Sequence, residues 1–168
     1  MDHKDKTNKE LIEKISELQI ENERLRAQIK NSLSENQLKL ILENAGEGIL
    51  GLDLNGNHTF VNPKASLLLG YQAAEMIGKR SHSMWHHHFA DGSPFPDEKC
   101  PIYFTLKDGK THEGESYFWR KDGTGFYVDF FSFPIFDNGL VIGAVVTFFD
   151  ITARKRTEEA LTQERDLM

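Results

Sequence analysis

Between Asp5 and Leu42 the chain holds no glycine and no proline, and its charges alternate in sign. A stretch of that length without a breaker folds as one long helix. Placing Leu11, Leu18, Leu25 and Ser32 at heptad position d puts Ile15, Asn22, Ile29 and Asn36 at position a. Of the first seven seam positions five are aliphatic, and the exception inside the run is Asn22. The pattern predicts a short parallel coiled coil over residues 1–36, with Leu11, Ile15, Leu18, Asn22, Leu25 and Ile29 as the dimer seam. An asparagine at a pairs with its twin across a two-stranded interface and sets the register at a cost in stability. An amphipathic helix packed on its own domain would carry the same pattern. About four heptads are marginal alone, so the coil is expected to dimerise together with the domain C-terminal to it.

The character of the chain changes near residue 37. Gly46-Glu-Gly48 ends the helix, and Ile49–Asp53 reads as a strand. Asn55-Gly56 is a two-residue hairpin turn, and His58–Val61 is the returning strand. Asn62-Pro63 opens a helix through Leu67, Leu68 and Leu69 that Gly70 closes, and a short helix comes next over Ala73–Ile77. Residues 81–97 read as irregular. Asp97 is the expected N-cap of a helix running through Pro101 and Leu106 to Asp108-Gly109. Three strands, His112–Arg120, Gly125–Ile135 and Leu140–Phe149, are joined by turns at Lys121–Thr124 and Asp137–Gly139, and loops so short make neighbours antiparallel.

Two strands, several short helices and three strands give an α+β fold, a five-stranded antiparallel sheet with helices on one face. In Tyr127–Phe133 aromatic side chains occupy both faces: Phe130 on one, and Tyr127, Phe131 and Phe133 on the other. A face in water would be polar, so a flanking helix or a second subunit is expected to cover it. From Ala153 the chain is helical again and stops without a capping signal, which suggests a longer chain cut inside a helix. The organisation read from sequence is thus a helix over 1–36, a domain over 37–152 and the start of a signalling helix over 153–168.

Composition narrows the function classes. Residues 1–40 carry eight basic and eight acidic side chains, residues 153–168 four of each, and the middle eight against fourteen, so the centre holds the whole net charge of −6. Phosphate recognition needs clustered Lys and Arg, and an acidic centre argues against nucleic acid. A single cysteine, Cys100, excludes an internal disulfide and every multi-cysteine zinc pattern. No stretch is apolar for long enough to contact a membrane as a span, and the polar start lacks a secretory signal, so a cytoplasmic location is expected.

The central zone resembles a PAS domain, the sensory box of bacterial signalling proteins. The matching residues are Glu47-Gly-Ile-Leu-Gly-Leu-Asp53, Val61-Asn-Pro-Lys-Ala65, Leu69-Gly-Tyr71, Met76-Ile-Gly-Lys79, Trp119-Arg-Lys-Asp-Gly-Thr124, Phe133-Pro-Ile135 and the closing Asp150-Ile-Thr152. The resemblance implies a sheet and short helices around a pocket, with signals passing to helices at both ends. The heptad pattern and the apolar outer face together lead to an expected homodimer through the N-terminal coil and the outer sheet face. A histidine kinase or diguanylate cyclase effector would lie on the C-terminal side. Asp150, Ile151 and Thr152 are then the expected junction between sheet and exit helix.

Candidate chemistry is limited. Trp85, His88, Cys100, Phe104, Trp119 and Phe130 are the candidate ligand-pocket residues. Of the histidines in His82, His86, His87 and His88, three consecutive ones cannot converge on one ion from a helix or strand. They are expected to be partly exposed loop residues, and no metal is expected. Family members that hold haem usually place a histidine on the helix before the third strand; here Cys100, His86 or His88 would have to substitute. Lys99-Cys-Pro-Ile-Tyr-Phe104 lacks the residues of a cysteinyl–flavin motif. No cofactor is the leading expectation, with non-covalent flavin, haem or a small metabolite as alternatives. No phosphate loop, nucleophile elbow or kinase signature is present, so this segment is not expected to be an enzyme.

Overall fold

The computed structural model describes the backbone of residues 3–166 and the side chains of residues 8–165. It divides between residues 41 and 42 into two units. The first lies within α1, His3–Glu43, which runs as one helix through residue 36 and past it. Its seam residues stay exposed within the single chain, from 46% for Leu25 to 58% for Ile29. Ile15, Leu18 and Asn22 share one face with Gln19, Glu23 and Arg26, and the Asn22 amide donates to the Leu18 carbonyl at 3.3 Å.

The second unit is the domain. Its elements are β1 (Gly48–Asp53), β2 (His58–Val61), α2 (Pro63–Leu69), α3 (Ala73–Met76), α4 (Ser81–Trp85), α5 (Pro101–Asp108), β3 (His112–Trp119), β4 (Gly125–Asp137), β5 (Leu140–Asp150) and α6 (Thr152–Asp166). The five strands form one sheet in the order β2-β1-β5-β4-β3, antiparallel throughout. The first strand of the chain therefore pairs with the last, and the helices fill the crossover between β2 and β3. This is the α+β architecture expected from the strand grouping.

Asn62 shows how a single side chain anchors the entry. It is fully buried, and its Oδ1 caps α2 at Ala65 N (2.9 Å) while also accepting from Ile49 N (2.8 Å). Its Nδ2 donates to the carbonyls of Glu47 and Leu42. At the other end of α2, Gly70 adopts φ 73°, a left-handed conformation that closes the helix.

Leu50, Leu52, Phe118, Phe126, Val128, Phe130, Val146 and Phe148 project from the inner sheet face and pack with Leu69, Met76, Trp85 and Ile102 from the helices. The outer face is apolar and open: Phe131 and Phe133 stack with ring centroids 6.1 Å apart, and Phe133 and Phe149 are 42% and 40% exposed.

Two local expectations need correction. Residues 81–97 are not uniformly irregular, because Ser81–Trp85 forms α4. Asp97 is not the N-cap of α5: it opens a short 3₁₀ turn, Asp97–Lys99, and α5 begins at Pro101 after Cys100. Pro101 explains the later start, since its fixed φ suits the first helical position and its missing N–H needs no cap. The Asp97 carboxylate is used elsewhere, in bonds to Arg80 Nη2 (2.6 Å) and His82 Nε2 (3.1 Å).

Candidate functional site

Two places in the domain gather polar groups with a defined geometry. The first lies where α4 meets the start of α5 and the middle of β3. One helical turn separates His82 from His86, the residue that caps the C-terminal end of α4, so both rings turn the same way. His82, His86 and Cys100 are all buried, and one ligand atom from each lies within 4.8 Å of the others. Cys100 Sγ is 3.3 Å from His86 Nδ1, and the other nitrogen of His86 bonds Ser116 Oγ at 2.7 Å. His82 donates from Nε2 to the Phe95 carbonyl at 2.7 Å. Its Nδ1 is buried without a hydrogen-bond partner.

Burial sets the protonation of this corner. It drives the His86 pKa down to about 3, helped by neighbouring His82 and His87, so that ring is neutral. Burial also pushes the Cys100 thiol up to about 11. The expectation of partly exposed loop histidines is thus overturned for His82 and His86. Only His87 and His88 keep a half-buried position, bonded to each other through their Nδ1 atoms. The expectation against metal weighed the adjacent histidines on a helix or strand, or in a loop with Cys100 as a further ligand; the structure instead pairs His82 with His86 beside Cys100. That i, i+4 spacing was present in the sequence, but reading 81–97 as irregular removed the helix that gives it meaning.

Of the six candidate pocket residues, Trp85, Cys100 and Phe130 belong to one buried core, and His88, Phe104 and Trp119 lie outside it. Trp85 is fully buried, packs tilted against Phe118 with ring centroids 4.4 Å apart and donates from Nε1 to His58 Nε2 at 2.9 Å. Phe130 belongs to the same core. Cys100 sits in the histidine corner. Trp119 is half-buried and donates to the backbone carbonyl of His88 at 2.9 Å, which is the contact that joins those two. Phe104 is 37% exposed and tilts against His112 on β3, outside the buried core.

The second place is the start of α6. Ile151 N donates to Tyr127 O at 2.8 Å, and Tyr127 N donates back to Thr152 Oγ1 at 3.1 Å. The Asp150 carboxylate accepts from Thr152 N at 2.9 Å and from Arg120 Nη2 at 3.3 Å. Ile151 is buried. One turn into the helix, Arg154 and Lys155 both pair with Glu115 on β3. The structure therefore brings Asp150, Ile151 and Thr152 together and ties them to β3 and β4, whereas sequence reasoning missed Arg120, Glu115 and Tyr127 at this junction. Only Arg120 stood in a family-like motif; Glu115 and Tyr127 are brought in by strand pairing.

Among the described residues no helix is long and apolar enough to cross a membrane. The PAS domain family pattern matches residues 46–153. Over 129 residues the chain is 33% identical to the signal transduction histidine-protein kinase AtoS of Escherichia coli, covering 76% of this chain and 20% of that protein. It is 28% identical over 146 residues to the two-component system protein A of Emericella nidulans, covering 84% and 21%. The chain thus spans about a fifth of the length of these relatives. In fold it is similar to an RNA-binding light-oxygen-voltage receptor (TM-score 0.67, 23% identity, 82% of this chain and 38% of that one). It is also similar to the PAS domain of an HTR-like protein from Haloarcula marismortui (TM-score 0.60, 19% identity, 75% and 98%). With the strand order, the entry and exit helices and the family match in agreement, this chain belongs to the PAS domain family.

Proposed function

We propose that the chain is the sensory and dimerising module of a larger signalling protein of histidine kinase or diguanylate cyclase type, relaying a change in the sheet to α6. The observation that carries this reading is the junction at Asp150, Ile151 and Thr152. Thr152 at the start of α6 is bonded to Tyr127, Asp150 at the end of β5 to Arg120, and the first turn of α6 to Glu115. A shift of β3 or β4 must therefore move the helix or break these bonds. Packed contacts of this kind switch between discrete arrangements, so a small displacement suffices. A ligand or partner drives the switch only by binding the two states differently, by about 1–3 kcal/mol for typical coupling.

Dimerisation is the second half of the proposal. The aliphatic seam of α1 and the open aromatic face of β4 and β5 are apolar surfaces that a second copy would cover in a cytoplasmic homodimer. In this reading catalysis belongs to an effector on the C-terminal side, and the module itself performs none.

Asp150→Ala tests the relay. Its exposed pair with Arg120 contributes at most about 1 kcal/mol, so the fold survives. The full-length protein carrying it should lose the dependence of effector output on stimulus. Unchanged signalling would overturn the relay. Native mass spectrometry of the purified chain should report a dimer; a monomer would remove the dimerising role.

A further inference from the structure

We propose that His82, His86 and Cys100 form a binding site for a thiophilic divalent ion of the Zn²⁺ type, with a fourth position left open. The site is built from three positions, the two ends of α4 and the residue before α5, and all three side chains are more than nine-tenths buried. Two imidazoles and a thiolate suit borderline-soft Zn²⁺, while Mg²⁺ and Ca²⁺ require oxygen.

The hydrogen bonds around the site point the ligand atoms. A carbonyl can only accept, so the bond to Phe95 O places the His82 proton on Nε2. In the neutral ring Nδ1 then carries a lone pair, and this is the buried atom that has no partner. Ser132 Oγ is the other buried side-chain atom left unbonded among the described residues, and it belongs to a different part of the sheet. A buried orphan acceptor costs free energy that a ligated ion recovers. Asp97, 3.1 Å from His82 Nε2, completes a carboxylate–histidine arrangement of the kind that orients metal-bound imidazoles. On the other side, Ser116 holds Nε2 of His86 and leaves Nδ1 toward the sulfur.

The spacing fits with a small closure. Tetrahedral Zn²⁺ with bonds of about 2.0–2.3 Å separates its ligand atoms by about 3.3–3.6 Å. Cys100 Sγ and His86 Nδ1 already stand at 3.3 Å, and the full set lies within 4.8 Å. Binding forms one metal–sulfur and two metal–nitrogen bonds and releases the thiol proton to solvent. The thiolate offsets part of the metal charge of +2, and the Asp97 carboxylate beside His82 is shared with Arg80.

Co²⁺ titration of the chelator-treated chain tests this. Cys100 is the sole cysteine, so a thiolate-to-cobalt charge-transfer band in the wild type can come from no other residue. The expected result is that band together with visible tetrahedral bands, saturating at one Co²⁺ per chain and bleached by one equivalent of Zn²⁺. Cys100→Ser should abolish the charge-transfer band, and His82→Ala should weaken Co²⁺ affinity at least tenfold, with circular dichroism confirming the fold. A wild type without the band, or a band that survives Cys100→Ser, would overturn the site. The wild-type spectrum decides the matter even if a variant fails to fold.

Discussion

The N-terminal helix and the domain bury their apolar side chains in opposite ways. In the domain, Leu50, Trp85, Phe118, Phe130 and Phe148 are covered by the chain's own sheet and helices. In α1, Leu11, Ile15, Leu18, Leu25 and Ile29 repeat with a heptad period and remain exposed within one chain. The domain carries its stability internally. In the proposed dimer the helix would gain its stability from a partner, since isolated helices draw little from propensity and a seam stabilises only when it meets another.

That contrast can be broken at its strongest point first. Phe130→Ala opens a cavity in a closed core and should cost about 3–5 kcal/mol. Denaturant unfolding should show this loss at every protein concentration. A concentration-dependent effect would mean that the core depends on the partner as well.

An intermediate effect separates the regions by pH. His58 is buried between the Lys79 carbonyl and Trp85 Nε1, and burial holds its pKa below the usual value. The unfolded chain binds that proton below about pH 6.5 while the folded domain does not, so stability is complete above that pH and falls as pH drops. The slope approaches about 1.4 kcal/mol per pH unit for one such group. Comparing His58→Asn with the wild type should show a shallower slope in the variant. Residues 8–43 contain no histidine, so this pH loss belongs to the domain alone. Identical slopes in the two proteins would mean that His58 is not held neutral.

The smallest effect is opposite in sign. Asn22→Leu removes a polar side chain from the seam and should raise the melting temperature, by about 2–4 °C for each kcal/mol gained, in a concentration-dependent way. It should also permit higher oligomers. A drop in stability would show the heptad register to be wrong.

Short-range signals made most of the fold legible. Asp137-Asn-Gly139 marked its turn because Asn138 and Gly139 adopt left-handed backbone. Asn55-Gly56 marked the place of a turn that is not the expected two-residue hairpin: the connection spans residues 54–57 and only Gly56 is left-handed. Asn62-Pro63 and Gly70 bounded α2 for local reasons as well. The start of α5 was misplaced because Asp97 is a good cap in isolation, and only the ion pair with Arg80 and the contact with His82 Nε2 redirect its carboxylate. Phe104 looked like pocket lining because helical phase against a sheet cannot be read from one short apolar run.

The sequence by itself determined the long breaker-free helix, the hairpins, the sheet class and the Asp150-Ile-Thr152 junction, since each rests on residues adjacent in the chain. Tertiary structure alone decided that Cys100 meets His82 and His86, that Ser116 turns the His86 ring, and that Arg120, Glu115 and Tyr127 hold the exit helix. Those groups lie 14 to 39 positions apart, and only the pairing of β3 with β4 and the packing of α4 and α5 against the sheet bring them within bonding distance.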